Sequence, residues 1–379
     1  MNKKLYKKFT IIFFIMAGIS LSTVMIFNFF IDPGNQFYHA NIIEYKMSQA
    51  LLQDKKVIVQ ANYNERFLQK TMLQKLSFRP DILVLGSSHI MPLTNDIFHT
   101  KRFFNASVSS ASLEDDIALY YILQKNGYQP KTVIICLDPW IVSKANPEVL
   151  WKTEYIEEYL EGKKLILGES ISLIYLNHIM SFFEKYLQLL SFKYLESSIH
   201  KLIAIIKHQK QHTILQDIST LDAKASICPN CFVRQPDGSR LPTPTEEATT
   251  PEEANLYVLN NINSWKDFWT QSTLDSNYTV IFERFVQYLL QRNIKVVFYF
   301  PPMQPLEYTQ LVKKNTNYRM VFVAETYFQK IAKKYRLQTI GAYDPMKVHL
   351  VTSDFIDSWH LKKEGITKLF VRTWPQEVV

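Results

Sequence analysis

With 379 residues, 47% of them apolar and including 25 Phe and 21 Tyr, the chain can bury a large hydrophobic core, which excludes an intrinsically disordered protein. Half of its formal charge of +8 comes from four lysines near the N-terminus: Lys3, Lys4, Lys7 and Lys8. The remaining 39 basic and 35 acidic residues nearly balance, so the composition gives no support for nucleic-acid binding.

A run of 23 residues without charge follows these lysines, from Phe9 to Ile31. At ~1.5 Å per residue it is long enough to cross a hydrocarbon core of roughly 30 Å, and it is too long for the apolar part of a signal peptide. A buried core helix is the alternative. The basic tail over residues 1–8 predicts a cytoplasmic N-terminus. We therefore expect residues 9–31 to be a single transmembrane anchor, with the main body outside the cytoplasm, in the periplasm or at the cell surface.

Beyond the anchor, the pattern predicts a helical linker over residues 32–78 and then strands that alternate with helices. Strand–helix units occupy residues 79–143 and resume over residues 278–379. Units of this length predict an α/β domain whose parallel sheet is covered by helices on both faces. Residues 144–277 interrupt this domain with a largely helical insertion that includes a turn-rich loop. Within that loop, Arg240 is a candidate contact for an anionic substrate.

The cysteines of the insertion allow two interpretations. In an exported chain, Cys228 and Cys231 of the "CPNC" segment predict a local disulfide. Alternatively, His208 and His212 lie four residues apart, on one face of a helix, and with the two cysteines they would make a tetrahedral zinc site. The third cysteine, Cys136, lies in an apolar strand and is expected to be a small core residue.

The first strand of the α/β pattern ends unusually, in "DILVLGSSHIMPL" over residues 81–93. In open parallel sheets, ligands bind beyond the carboxyl ends of the strands, where the N-terminus of the next helix would direct free N–H groups. Ser88 can cap that helix or act as a nucleophile, and Ser87 competes with it for the second role.

A serine hydroxyl needs a base that accepts its proton, and a third group that orients the base. Asp357 and His360 lie three residues apart in "DSWH", so one turn can present both to the same site. An exposed loop pair is the alternative. The G-x-S-x-G elbow of α/β-hydrolases is absent, because Ile90 stands where its second glycine would be.

These motifs together resemble the SGNH, or GDSL-type, hydrolase superfamily. The resemblance rests on "LGSSH" after the first strand, "FNASVSSAS" after the second and "DSWH" near the end, and it covers residues 81–370 without the insertion. The chain is especially similar to membrane-anchored, exported members that act in cell-envelope acyl transfer, such as the D-alanylation partner for teichoic acids and the O-acetylation partners for alginate-like polysaccharides. The resemblance implies a three-layer, flavodoxin-like α/β fold.

The resemblance also implies roles for individual residues. Ser88 aligns with the family's nucleophile, and Asp357 and His360 align with its D-x-x-H pair. The backbone N–H groups of Ser88 and Ser110 would form the oxyanion hole, although Ser110 stands where the family usually has glycine.

Three further residues would be neighbours of this site: Ser87, His89 and Asp138. Ser87 replaces the family's usual aspartate. Asp138 ends the third strand, where the family has an asparagine that donates to the oxyanion. A carboxylate cannot donate unless it is protonated, so one donor is missing or comes from elsewhere.

The function expected from this resemblance is acyl-ester chemistry without a cofactor. An acyl-serine would form and pass its acyl group to or from an envelope polysaccharide, as an O-acyltransferase or esterase. A multispanning membrane acyltransferase would supply the activated acyl group. A plain carbohydrate or lipid esterase is one alternative, and a non-catalytic envelope assembly protein with a vestigial triad is the other.

Overall fold

The structure, a computed structural model, describes most of the chain: residues 3–33, 37, 41–59, 63–98, 102–143, 150–168, 186–206, 218–220, 228–262, 273–314 and 319–374. It divides into two compact units. Unit 1 comprises Met1–Ile43 with Leu173–Asp217, and unit 2 comprises Glu44–Ser172 with Ile218–Val379.

Helices and strands alternate through the described residues. The helices are α1 (Lys3–Ile31), α2 (Ile42–Leu52), α3 (Glu65–Lys75), α4 (Leu113–Lys125), α5 (Trp151–Glu154), α6 (Ile156–Leu167), α7 (Phe192–Ile206), α8 (Pro244–Glu247), α9 (Pro251–Asn261), α10 (Ser276–Gln291), α11 (Pro305–Lys313), α12 (Arg319–Tyr335) and α13 (Lys363–Thr373). The strands are β1 (Val57–Val59), β2 (Ile82–Leu85), β3 (Phe103–Asn105), β4 (Thr132–Cys136), β5 (Ile218–Thr220), β6 (Phe232–Arg234), β7 (Arg240–Leu241), β8 (Lys295–Phe300) and β9 (Gln338–Gly341).

Unit 1 is built on α1. Its segment Tyr6–Ile31 contains a stretch of 18 residues that has a mean hydropathy of 2.3 and is not buried, so the segment is long and apolar enough to cross a membrane. Close to the C-terminal end of α1, the side-chain amide of Asn28 donates to the carbonyl of Leu189, 2.7 Å away. Near the same end, Asp32 accepts a hydrogen bond from the hydroxyl of Tyr194 in α7. These contacts tie α7 and the turn that precedes it to the end of α1.

The central sheet of unit 2 has five parallel strands in the order β3-β2-β4-β8-β9. The predicted α/β fold with a parallel sheet is therefore confirmed. Because β2 pairs with β3 on one side and with β4 on the other, the direction of strand addition reverses between β2 and β4. In sheets of this kind the reversal opens a crevice at the carboxyl ends of the two strands, where ligands bind.

Helices cover both faces of this sheet, as the alternation along β8 illustrates. Tyr299 faces α13, and its ring lies 5.3 Å from that of Phe370. The next residue, Phe300, points to the opposite face and packs on Phe328 of α12. All of these rings are at most 3% exposed, and burying each contributes about 1.5–3 kcal/mol.

A second, antiparallel sheet departs from the sequence prediction. Its order is β5-β1-β6-β7, and it pairs β1 with strands from the predicted insertion. The prediction of a helical linker over residues 32–78 is thus wrong for Val57–Val59, and the described residues of the insertion include three strands, β5, β6 and β7, beside its helices. The β-branched triplet of β1 favours a strand, but its pairing partners lie more than 150 residues away, so no local pattern reveals them.

Gly86 lets the carboxyl ends of β2 and β4 approach closely. Its φ is +134°, and a Cβ built there would lie 2.2 Å from the Cβ of Cys136. Only glycine combines this backbone conformation with so close a contact. The residues that follow Gly86 are therefore held directly over the end of β4.

The buried side chain of Asn105, at the end of β3, holds the loop that follows β2. Its amide nitrogen lies 2.9 Å from the carbonyl oxygen of Ile90, 3.3 Å from that of Met91 and 3.0 Å from that of Leu93. Its oxygen accepts from the N–H of Ser107. One buried side chain thus contacts three backbone carbonyl groups of the loop that follows Ser88.

We expect Asn105→Asp to destabilise unit 2 by about 3 kcal/mol, because an acceptor would replace the donor that faces these buried carbonyls. Urea unfolding of the full chain in detergent, followed by tryptophan fluorescence, measures the change. The control is Asn277→Asp, in the exposed first turn of α10, which should shift the free energy of unfolding by less than about 0.5 kcal/mol. Equal stability of the two variants would contradict this role for Asn105.

Candidate active site

The two serines after β2 occupy different environments. Ser87 is fully buried, and its Oγ accepts a hydrogen bond from the backbone N–H of His89, 3.2 Å away, so it caps the turn Ser88–Ile90. The next residue, Ser88, is partly exposed and lines a cavity. The helix N-terminus expected here is replaced by this three-residue 3₁₀ turn, and Pro92, which lacks an N–H, does not continue it.

Ser88, His360 and Asp357 form a continuous hydrogen-bonded chain. The Oγ of Ser88 lies 2.8 Å from Nε2 of His360. On the other side of the ring, Nδ1 lies 2.8 Å from one carboxylate oxygen of Asp357 and 3.0 Å from the other. These distances lie within the range over which a base can take a proton from a hydroxyl.

The turn that carries Asp357 and His360 is held by its own backbone. One carboxylate oxygen of Asp357 accepts the N–H groups of Trp359 at 2.8 Å and of His360 at 2.9 Å. The N–H of Ile356 closes the turn on the carbonyl of His360, at 2.8 Å. The aspartate therefore fixes the histidine through both its side chain and its backbone.

The charges of this pair stabilise each other. Burial by itself raises the pKa of Asp357, but the attraction of His360 and the hydrogen bonds to Asp357 outweigh it and hold the pKa well below its usual value. Burial likewise lowers the pKa of His360, and the carboxylate of Asp357 outweighs this and raises the pKa above 6.5. An imidazole held in this way is a stronger base than an isolated one.

His89 and Asp138 bridge the crevice between β2 and β4. The Nδ1 of His89 lies 2.6 Å from a carboxylate oxygen of Asp138, and both side chains are buried. The thiol of Cys136 donates to the other oxygen of Asp138. The ring centroid of His89 lies 4.9 Å from that of His360, and its plane stacks on Trp359. The two predicted neighbours thus form a second pair that packs against the first.

Ser110, predicted as an oxyanion donor, adopts a left-handed conformation with φ +50°. This conformation favours glycine. Ser109, rather than Ser110, lines the cavity, and the N–H of Ser109 donates to a carboxylate oxygen of Glu65 at 2.8 Å. Ser110 itself is not among the residues that line the cavity, and its role as a donor stays a prediction.

A cavity of about 250 Å³ opens beside Ser88. The insertion, which the sequence separates from this site, supplies one of its walls through the β6–β7 hairpin and α8. The sequence indicates Arg240 but no other residue of this wall, because the hairpin lies about 150 residues from Ser88 along the chain. The lining is Ser88, Met91, Pro92, Ser109, Phe232, Arg240, Pro242, Glu246, Ile356, Asp357, His360 and Leu361.

The structure joins Cys228 and Cys231 in a disulfide, with their Cα atoms 5.3 Å apart. The zinc alternative needs both as free thiolates, so the disulfide contradicts it. Its other two ligands, His208 and His212, lie outside the described residues. Within the described ranges, no group of three His, Cys, Asp or Glu side chains could hold a metal ion.

No protein-family model matches the chain, and no curated protein is significantly similar to it. The function is therefore argued from the geometry of Ser88, His360 and Asp357.

We expect Asp357→Asn to lower the pKa of His360, because it removes the carboxylate that stabilises the imidazolium. In the unsubstituted chain the His360 ring should titrate above pH 6.5. NMR titration of the histidine rings in the full chain, in detergent micelles, measures both midpoints, and His360→Asn assigns the resonance. The control is Asp344→Asn, which alters the cap of a different turn. Identical midpoints with and without Asp357 would contradict the pairing.

Proposed function

We propose that the protein is a membrane-anchored, extracytoplasmic acyl-ester enzyme that uses Ser88 as its nucleophile. The observation that carries this proposal is the 2.8 Å distance between Oγ of Ser88 and Nε2 of His360, with Asp357 on the opposite nitrogen of the same ring. A nucleophile, a base and an orienting carboxylate in this order serve acyl transfer on unrelated folds.

In the first step, Oγ of Ser88 attacks the carbonyl carbon of an acyl ester while Nε2 of His360 takes its proton. Asp357 holds Nδ1–H and stabilises the imidazolium that results. The tetrahedral intermediate collapses, the bond to the ester oxygen breaks, and the imidazolium returns its proton to the departing alcohol. The acyl group is then bound to Ser88.

In the second step, an acceptor hydroxyl attacks the carbonyl carbon of this acyl-serine and gives its proton to His360. The bond between that carbon and Oγ of Ser88 then breaks, and the imidazolium returns the proton to Oγ. Water as acceptor makes the protein an esterase, and a sugar hydroxyl makes it an O-acyltransferase. We favour transfer to or from an envelope polysaccharide, because α1 would hold unit 2 at a membrane surface. A multispanning acyltransferase in the same membrane would then deliver the acyl group.

The proposal assigns the backbone N–H of Ser88 to the developing oxyanion, with Ser110 as the second predicted donor. The carboxylate of Asp138 is committed to His89 and to the thiol of Cys136, so it does not replace the family's asparagine. The loss of one oxyanion donor costs roughly 10²–10³ in rate. Slow turnover follows from this proposal.

The test is labelling of the full chain, in detergent, with a serine-directed fluorophosphonate. We expect labelling that is lost in Ser88→Ala and retained in Ser87→Ala, because Ser87 is buried and engaged as a cap. In-gel fluorescence measures both, with peptide mapping of the modified residue. Circular dichroism controls for folding. Folded protein that takes no label under any condition would favour the non-catalytic assembly protein.

The labelling rate should rise with pH. Only the neutral imidazole of His360 accepts the serine proton, and the raised pKa of His360 places the midpoint above pH 6.5. Rates measured from pH 5 to 9 give this midpoint. In Asp357→Asn, both the pH of this midpoint and the maximum labelling rate should fall. A rate that is independent of pH would exclude His360 as the base.

A further inference from the structure

Behind the wall of the cavity that Arg240 lines, two guanidinium groups share one carboxylate. An oxygen of Glu65 accepts a hydrogen bond from Nη1 of Arg240 at 2.8 Å and lies 3.2 Å from Nη2 of Arg234. Burial by itself raises the pKa of Glu65, but the two arginines outweigh it and lower the pKa to about 2. Glu65 is therefore ionised, and the three side chains carry a net charge of +1.

The described residues around Arg234 do not neutralise this charge. Arg234 is 1% exposed, and its other side-chain nitrogens donate to the hydroxyl of Tyr63 and to the carbonyl of Gly238. Burial raises the pKa of Tyr63, which keeps its hydroxyl neutral. The neighbouring Arg66 is already paired with Asp115 through two hydrogen bonds. Buried charges are usually paired, so this excess is an unusual feature.

Arg240 presents the excess charge to the cavity. Its side chain is 19% exposed, and the guanidinium carbon lies 4.5 Å above the ring centre of Phe232. Nη1 is bound to Glu65, whereas Nε and Nη2 meet no acceptor within the described part of the chain. A guanidinium held flat in this way offers two parallel N–H donors, the arrangement that binds carboxylate and phosphate groups.

The same cavity contains the reacting groups. The backbone N–H of Arg240 donates to the carbonyl of Met91, three residues after Ser88. The charge of Arg240 also acts on His360 and lowers its pKa in opposition to Asp357. A volume of about 250 Å³ is smaller than most ligand pockets. An ester at Ser88 that fills this space therefore reaches Arg240.

We propose that Arg240 binds an anionic group of the substrate, so that the enzyme prefers a short acyl ester that carries a carboxylate or a phosphate. This specificity rests on the proposed function at Ser88. Glu246 also lines the cavity and uses one carboxylate oxygen to accept the N–H of Thr243. Its negative charge repels an anion from that wall and leaves Arg240 as the place where the anion binds.

A matched pair of esters tests the preference: 4-nitrophenyl hydrogen succinate, whose four-carbon acyl chain ends in a carboxylate, and 4-nitrophenyl butyrate, which is neutral. We expect the ratio of kcat/KM for the succinate ester over the butyrate ester to fall about 10- to 100-fold in Arg240→Gln, because this variant loses a charge-assisted hydrogen bond to the substrate. Arg240→Lys should retain part of the preference for the succinate ester. The control Arg102→Gln removes an equal charge at the opposite end of the strands and should leave the ratio unchanged. An unchanged ratio in Arg240→Gln would overturn the proposal.

A binding measurement separates this proposal from the proposed function. Isothermal titration of the full chain carrying Ser88→Ala, in detergent, with methyl hydrogen succinate, methyl butyrate and methyl phosphate needs no catalysis. Preference for the anionic ligands that is lost on adding Arg240→Gln supports the anion site even where neither ester is hydrolysed. The stronger of the two anions identifies carboxylate or phosphate as the natural group. Equal affinity for charged and neutral ligands overturns the proposal whatever the activity.

Discussion

The hydrogen bond between Ser88 and His360 is the contact on which the proposed chemistry depends, and it joins residues 272 positions apart in the chain. A single hydrophobic cluster supports both of its ends. Ile90 and Leu93, which follow Ser88, belong to the same buried core as Phe355 and Leu361, which flank the turn of His360. The apolar residues beside the hydroxyl and the imidazole pack together, and this packing brings the two groups into contact. Because protein cores are close-packed, neither group can be displaced far.

Around this contact, polar side chains hold loops whose conformation the hydrophobic core does not determine. Asn105 binds the carbonyls after Ser88, Asp357 binds the backbone of its own turn, and Asp138 binds His89 across the ends of two strands. Asn105 and Asp138 supply these hydrogen bonds inside the core, where a polar group without a partner is costly. The reversal of strand order between β2 and β4 brings them to one place, so the polar network and the crevice arise from the same topological feature.

The insertion changes the chemistry that this scaffold can serve. Its β6–β7 hairpin and α8 close one side of the cavity, and its arginines pair with Glu65 from α3, ahead of the central sheet in the chain. The parallel sheet positions Ser88, while an antiparallel sheet of distant segments supplies charge. In the proposed function, reaction and specificity would thus come from different parts of unit 2, and the cavity between them would decide which esters reach Ser88.

Features that depend on local patterns could be predicted from the amino-acid sequence. A run of apolar residues gives α1, the alternation of strands and helices gives the parallel sheet, and short motifs single out Ser88, Asp357 and His360 as candidates. Only long-range contacts bring the hydroxyl of Ser88 to His360, make Val57–Val59 a strand, and let the arginines of the insertion share one carboxylate. These outcomes depend on contacts between residues far apart in the chain. Such contacts leave no periodic pattern in a single sequence. The residues around each partner show the same local pattern whether or not the other partner is present.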